Sequence, residues 1–295
     1  MNRVELKHIP LRPRNPFAGW QKGLHRLFLA LFGVALLLVW LRLIFPAALF
    51  AGSRWPDGLL LVLAAATTLA SLSRQLPAQN VVLAAALIGG FGGAAASVGA
   101  ITGVPFGPFT YNAENIGKFL FYPLPCAVPI LWVVAILNSR GVARLIMRPY
   151  RQRPDYGLWL MGVTVLLVVC LDLSFEPYAT LVNGYWSWKP TKIPYDWYSA
   201  PLSNFSGWAT ITLLILLFVT PALINKSPVK TPPTWHPLVV WELLSFLFLT
   251  GTALRHFWGA ALLTAAQMVL IGVLSMLATK RKSRGASPAH AVSHK

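Results

Sequence analysis

Seven or eight stretches of this chain are apolar enough to cross a lipid bilayer, and nothing else in the sequence limits the fold as strongly. A spanning helix needs roughly 20 mostly apolar residues. The candidate stretches lie at about 25–50, 57–73, 80–101, 119–138, 157–175, 205–224, 237–253 and 257–279. The second is short, and only Arg255 and His256 separate the last two. Composition agrees: 56% of residues are hydrophobic and 11% charged, where a soluble domain carries about 25% charged residues. These features predict an all-α, polytopic transmembrane helical bundle of seven or eight spans. Pro46 and Pro221 fall near predicted helix ends, and Pro123, Pro125 and Pro129 predict kinks in the fourth span. Such breaks persist only where neighbouring helices or water satisfy the freed carbonyls.

Charge divides the chain into a basic segment over 1–24, the helical domain over 25–279 and a basic, disordered tail over 280–295. The net charge is +17, which raises the question of nucleic acid. The cations gather at the termini and in one mid-chain connection, as the positive-inside rule arranges them. No nucleic-acid module accompanies them. With an eight-span count and a cytoplasmic N-terminus, nineteen of the 25 Lys and Arg fall on the cytoplasmic side. Arg140, Arg144, Arg148, Arg151 and Arg153 are counted there as one connection. Both termini are then cytoplasmic. The first apolar run exceeds the 7–15 residues of a signal peptide, which predicts an uncleaved first helix.

Several motif classes drop out. Cys126 and Cys170 both lie in apolar stretches and form no CxxC pair. The run from Gly89 to Gly93 lacks the GxxxxGK[ST] pattern of a phosphate loop, so its small residues predict close helix packing. The six histidines are scattered, without the clusters of iron-dependent hydroxylases and desaturases. No metal site is expected.

Chemistry concentrates elsewhere. The chain has eight acidic residues, and ionisable groups at membrane depth are costly and tend to mark function. Asp172 and Glu176 follow the apolar run 163–171 and, at helical spacing, share one face. Glu176-Pro177 predicts the end of that helix. Beyond it come Asn183, Gly184, Trp186, Trp188, Asp196, Trp197, Asn204 and Trp208. An interfacial aromatic belt accounts for part of this density. Carboxyls, asparagines and glycines interleaved with the rings point instead to an apolar slot with a few polar groups at its end. A second unusual segment, from Thr102 through Pro105 and Phe106 to Tyr111, lies on the same predicted face of the membrane.

Thr102-Gly-Val-Pro-Phe-Gly-Pro-Phe-Thr-Tyr111, Val128-Pro-Ile-Leu-Trp132, Asp172-Leu-Ser-Phe-Glu-Pro177, Gly184-Tyr-Trp-Ser-Trp188 and Pro201-Leu-Ser-Asn-Phe-Ser-Gly-Trp208 resemble the carotenoid 1',2'-hydratase family of membrane proteins. The resemblance runs over about 80–210. It implies a cofactor-independent hydro-lyase of the bacterial cytoplasmic membrane that adds water to the terminal double bond of an acyclic ψ-end carotenoid. It implies a carotenoid or other polyisoprenoid substrate in contact with membrane lipid, other carotenoid-pathway enzymes as partners, and no nucleic acid.

That reaction needs an acid to protonate C2', aromatic faces to shelter the tertiary cation at C1', and a base to orient and deprotonate water. Asp172 is expected as the acid, with Glu176 or Asp196 positioning water. Trp186, Trp188, Trp197 and Tyr111 are expected to face the cation, and Asn204 to hold water or carboxylate geometry. Thr102, Pro105, Phe106, Trp132 and Trp208 complete the expected substrate contacts. The family often carries an acidic residue a few positions before the glycine matching Gly99. Here those positions are Ala96, Ser97 and Val98, which leaves Asp172 or Glu114 to serve. A membrane carotenoid cyclase or another end-group-modifying enzyme, and a non-enzymatic lipid-binding or transport protein, are the competing readings.

Overall fold

The computed structural model describes residues 18–45, 54–191, 195–224 and 234–284. Eight of its helices are long and apolar enough to cross a membrane: α1 (Ala18–Ile44), α2 (Trp55–Ser73), α3 (Ala78–Thr102), α5 (Ala127–Ile146), α6 (Tyr156–Pro177), α7 (Leu202–Val219), α8 (His236–Leu254) and α9 (Trp258–Arg284). The short α4 (Ala113–Ile116) lies in the connection after α3. The chain is an all-α bundle and an integral membrane protein. The basic segment expected over 1–24 is described only from Ala18 and the tail only as far as Arg284; the rest of both, and Pro46, lie outside the described residues.

Successive spans alternate in direction, which gives the bundle two distinct ends. One end gathers the starts of α1, α3, α6 and α8 and the finishes of α2, α5, α7 and α9. The opposite end carries the connections 103–126 and 183–201. Helix α5 is the central element, packed on α2, α3, α6, α8 and α9. Small residues let α3 approach it: a Cβ at Gly92 would run into the Trp132 indole, and one at Gly89 or Gly93 would touch Pro129. The glycine run is therefore a packing surface. Helix α3 stops at Gly103, whose φ of 78° is the left-handed conformation that glycine adopts freely.

The fourth span differs from expectation. Residues 119–125, assigned by hydropathy to a helix, form a small hairpin of β2 (Phe119–Phe121) and β3 (Leu124–Pro125). Pro123 sits in its turn and Pro125 at the strand end, where neither must donate a backbone N–H. Helix α5 begins only at Ala127, so Pro129 falls in its first turn, where a missing N–H breaks no helical bond. The kinks expected at Pro123 and Pro125 do not exist. The helix extends further in the other direction, and Arg140 and Arg144 sit in its final turns rather than in the following connection.

Helix α6 ends at Pro177, where the Glu176-Pro177 step predicts its end, but the backbone does not leave the helical path there. The chain continues through a π-helical turn, Tyr178–Val182. Proline at 177 has no N–H for the carbonyl of Leu173, four residues earlier. Trp197 Nε1 donates to that oxygen at 2.9 Å and fills the vacancy.

Candidate active site

The two unusual connections pair directly. Strands β1 (Phe109–Tyr111) and β4 (Trp186–Trp188) run antiparallel, with Tyr111 opposite Trp186 and Phe109 opposite Trp188. Phe-Thr-Tyr and Trp-Ser-Trp alternate with a period of two, so each strand turns its rings to one face. Beneath that face Trp132 and Trp208 stack at a centroid separation of 3.8 Å, and Phe106 leans against both. Close approach explains Gly207 and Gly99, since a Cβ on either would press on the Phe106 ring. Two further strands, β5 (Asp196–Trp197) and β6 (Ala200–Pro201), lead the chain into α7.

The carboxyl pair lies under this lid. Asp172 and Glu176, one turn apart on α6, are 3% and 1% exposed. Asn204, in the first turn of α7, reaches both: its Nδ2 donates to Asp172 Oδ2 at 2.8 Å and to Glu176 Oε1 at 3.1 Å. Glu176 Oε2 accepts the indole N–H groups of Trp188 at 3.0 Å and Trp186 at 3.3 Å. Among the described residues, three N–H groups therefore converge on Glu176 and one on Asp172, whose buried Oδ1 has no partner.

Each carboxyl lines a different cavity. Asp172 lines the larger, of about 380 Å³, whose wall is otherwise mostly apolar and includes Leu60, Val134, Phe175, Leu247 and Phe248. Its far end is polar, with Arg54, Asp57, Glu114 and Asn115. Glu176, Asn204 and Tyr111 line a smaller pocket of about 40 Å³ among Phe106, Trp132 and Trp188. Trp186, Trp208, Val128 and Leu131 are walls common to both. Burial pushes the Tyr111 phenol up, with the Glu176 carboxylate second. Among the described residues no group of three His, Cys, Asp or Glu could hold a metal ion.

The profile of the carotenoid biosynthesis protein family matches residues 57–272, which run from the first turn of α2 into α9 and hold the smaller cavity's whole lining and most of the larger's. The chain belongs to that family. No curated protein and no solved structure matches it. Family membership places the chain in carotenoid biosynthesis and implies a carotenoid or polyisoprenoid substrate.

Within this carotenoid biosynthesis protein, Asp172, Glu176, Tyr111, Phe106, Trp132, Trp186, Trp188, Asn204 and Trp208 come together around the two cavities. Glu114 is exposed and lines only the polar end of the larger one. Asp196 is exposed on β5 and lines neither cavity. Trp197 lines neither, its indole being committed to Leu173. Thr102 returns its hydroxyl to Val98 O at 2.7 Å, and the Pro105 carbonyl packs against Gly207. Ala96, the position that departs from the resembling family, lines the same small pocket as Glu176. The sequence reading missed the cavity wall contributed by α2 and α8, because its leucines look like those on any spanning helix. It also missed the polar cluster beside the far end: Arg42 pairs with Asp57 at 2.8 Å, and Arg42 and Arg54 both donate to Asn183 Oδ1. Its only sequence signal is an arginine closing one span and an aspartate opening the next.

Proposed function

We propose that the chain is a carotenoid end-group hydratase, adding water across the 1',2' double bond of an acyclic ψ-end substrate without a cofactor. The observation that carries this reading is the unpartnered, buried Oδ1 of Asp172 at the wall of an apolar cavity. A cavity of this size falls in the range of ordinary ligand sites, about 300–1,000 Å³, and suits the end of a long polyene whose remainder lies in the bilayer.

In this reading Asp172 carries a proton and Glu176, ringed by three N–H donors, carries the negative charge. The Asp172 proton passes to C2', and the π electrons of the double bond form the new C–H bond, leaving a tertiary cation at C1'. Trp186, Trp208 and Phe175 line the cavity, and aromatic faces stabilise a desolvated cation by about 2 kcal/mol. The neighbouring 40 Å³ pocket has room for one water. Glu176 orients that water as its oxygen bonds to C1', and the proton it loses returns to the carboxyl pair, restoring Asp172. Asn204 holds the two carboxyls in register. The protein would lie in the bacterial cytoplasmic membrane with both termini cytoplasmic, and the carboxyl pair near the opposite face.

The test is expression in a host that accumulates an acyclic ψ-end carotenoid, with pigment masses read afterwards. The expected product is heavier by one water, and Asp172→Asn at equal protein level yields none. A product of unchanged mass with a ring would identify cyclisation and overturn the reading.

A further inference from the structure

At the opposite end of the bundle from the carboxyl pair, we infer a binding site for a phosphate-type oxyanion, built by Arg140, Arg144 and His236. The three side chains line one small cavity between the finishes of α2 and α5 and the start of α8. Arg140 is only 7% exposed, and among the described residues its guanidinium makes a single long hydrogen bond, to Leu223 O at 3.4 Å. Arg144 reaches the neutral Gln75 Oε1 at 3.3 Å. His236 is 8% exposed; its Nδ1 meets His25 Nε2 at 3.1 Å, while its Nε2 is buried and has no partner among the described residues. Arg74 touches the other nitrogen of His25 and adds a third cation behind the pair.

Among the described residues no carboxylate lies within ion-pair distance of Arg74, Arg140 or Arg144; the ion pairs are Arg42–Asp57 and Arg153–Asp155. A guanidinium offers five N–H donors, and a buried charge is costly unless it is paired. Carbonyls at the finishes of α2 and α5 offset part of this, each helix end being worth about half a charge. They do not balance three cations. His236 and Pro237, in the first turn of α8, line the same cavity, and among the described residues no side chain caps that helix start. Arg140, Arg144 and His236 bring donors to this cavity, and among the described residues the acceptors that meet the two guanidinium groups are neutral, Leu223 O and Gln75 Oε1.

Size sharpens the ligand. The cavity holds about 30 Å³, about one water's share of liquid volume. One or two oxygens of an anion can enter while the rest stays outside. A phosphodiester at headgroup depth has that shape, and free phosphate offers the same oxygens.

The experiment uses the full chain purified in detergent, its thermal unfolding followed against added inorganic phosphate, short-chain phosphatidylglycerol, and short-chain phosphatidylcholine as the zwitterionic control. A saturable rise in midpoint with an anionic probe is expected. Arg144→Gln should weaken that binding at least about tenfold, since one partner of a buried charge pair is lost. Arg144→Lys, which keeps the charge, should lose less, and Lys22→Gln, exposed at the same end, should change it less than about twofold. Stabilisation by phosphatidylglycerol alone assigns a lipid headgroup, and stabilisation by phosphate as well assigns the free anion. No effect beyond phosphatidylcholine, or an equal loss in Lys22→Gln, overturns the site.

Discussion

Trp197 gives its indole N–H to the carbonyl oxygen of Leu173, the acceptor that Pro177 leaves idle. The contact ties the loop ahead of α7 to the segment of α6 that carries Asp172 and Glu176. Trp197→Phe keeps a ring and removes only the donor. An acceptor left unmet at this depth costs about 1–3 kcal/mol, so the variant should unfold at a lower temperature in detergent. A midpoint equal to that of the parent protein would show that water or another group takes over the carbonyl.

How much of this was legible in the sequence depends on the kind of signal. Long apolar runs and the Asp172–Glu176 spacing survive translation into structure because each rests on one period. The β1–β4 pairing also had a local trace, Phe-Thr-Tyr and Trp-Ser-Trp, but three residues in a chain of apolar runs are hard to tell from loop. Hydropathy could not separate 119–125 from α5, because Phe119, Leu120 and Phe121 are as apolar as the helix that follows. The continuation through Pro177 was hidden for another reason: its substitute donor is twenty residues away. Cavity walls such as Leu60 and Leu247 carry no mark at all, since bilayer-facing and cavity-facing leucines are chemically alike.

Among the described residues Asn204 is the single side chain that hydrogen-bonds both buried carboxyls. Asn204→Leu removes both N–H contacts and leaves two carboxyls to share the site without a bridge. Turnover should fall by about 10²-fold, the lower end of what a positioned proton-transfer group contributes. Asn204→Asp should be worse, because it adds a third carboxyl. The measure is product formed per unit of folded protein, and full activity in Asn204→Leu would end the positioning role.

Trp188 and Trp186 both bond Glu176 Oε2, with Trp188 the nearer. Trp188→Phe preserves the ring facing Phe109 and deletes one of the three donors on Glu176. A hydrogen bond to a charged group is worth about 1.5–3 kcal/mol, which bounds the expected loss in turnover at roughly 10–100-fold. Comparing Trp188→Phe with Glu176→Gln separates the donor from the charge. If the bond acts only through that charge, Trp188→Phe should do nothing further in the Glu176→Gln background.

Among the described residues the Arg42–Asp57 pair is the one buried ion pair, both side chains being about a tenth exposed. Removing one member of such a pair strands the other, at about 3–5 kcal/mol. Asp57→Ala should therefore destabilise the protein by several kcal/mol, seen as a lowered unfolding midpoint. Asp57→Ala with Arg42→Leu should recover most of that loss, because the stranded charge goes with it. A double variant no better than Asp57→Ala would assign the effect to Arg54 or Asn183 instead.

Tyr185 follows the π-helical turn, and burial first, with Asp57 second, pushes its phenol well above the ordinary range. An unfolded tyrosine loses its proton near pH 10, while the folded one keeps it. Above that pH the unfolded state binds fewer protons, so stability falls as pH rises. The contribution is fully present below pH ~10 and is lost progressively above it. Tyr185→Phe removes this ionisation, so its unfolding midpoint should decline less than the parent's between about pH 9 and pH 11. Parallel declines in the two proteins would place the alkaline sensitivity on other groups, with Tyr111, raised in the same direction, the next to substitute.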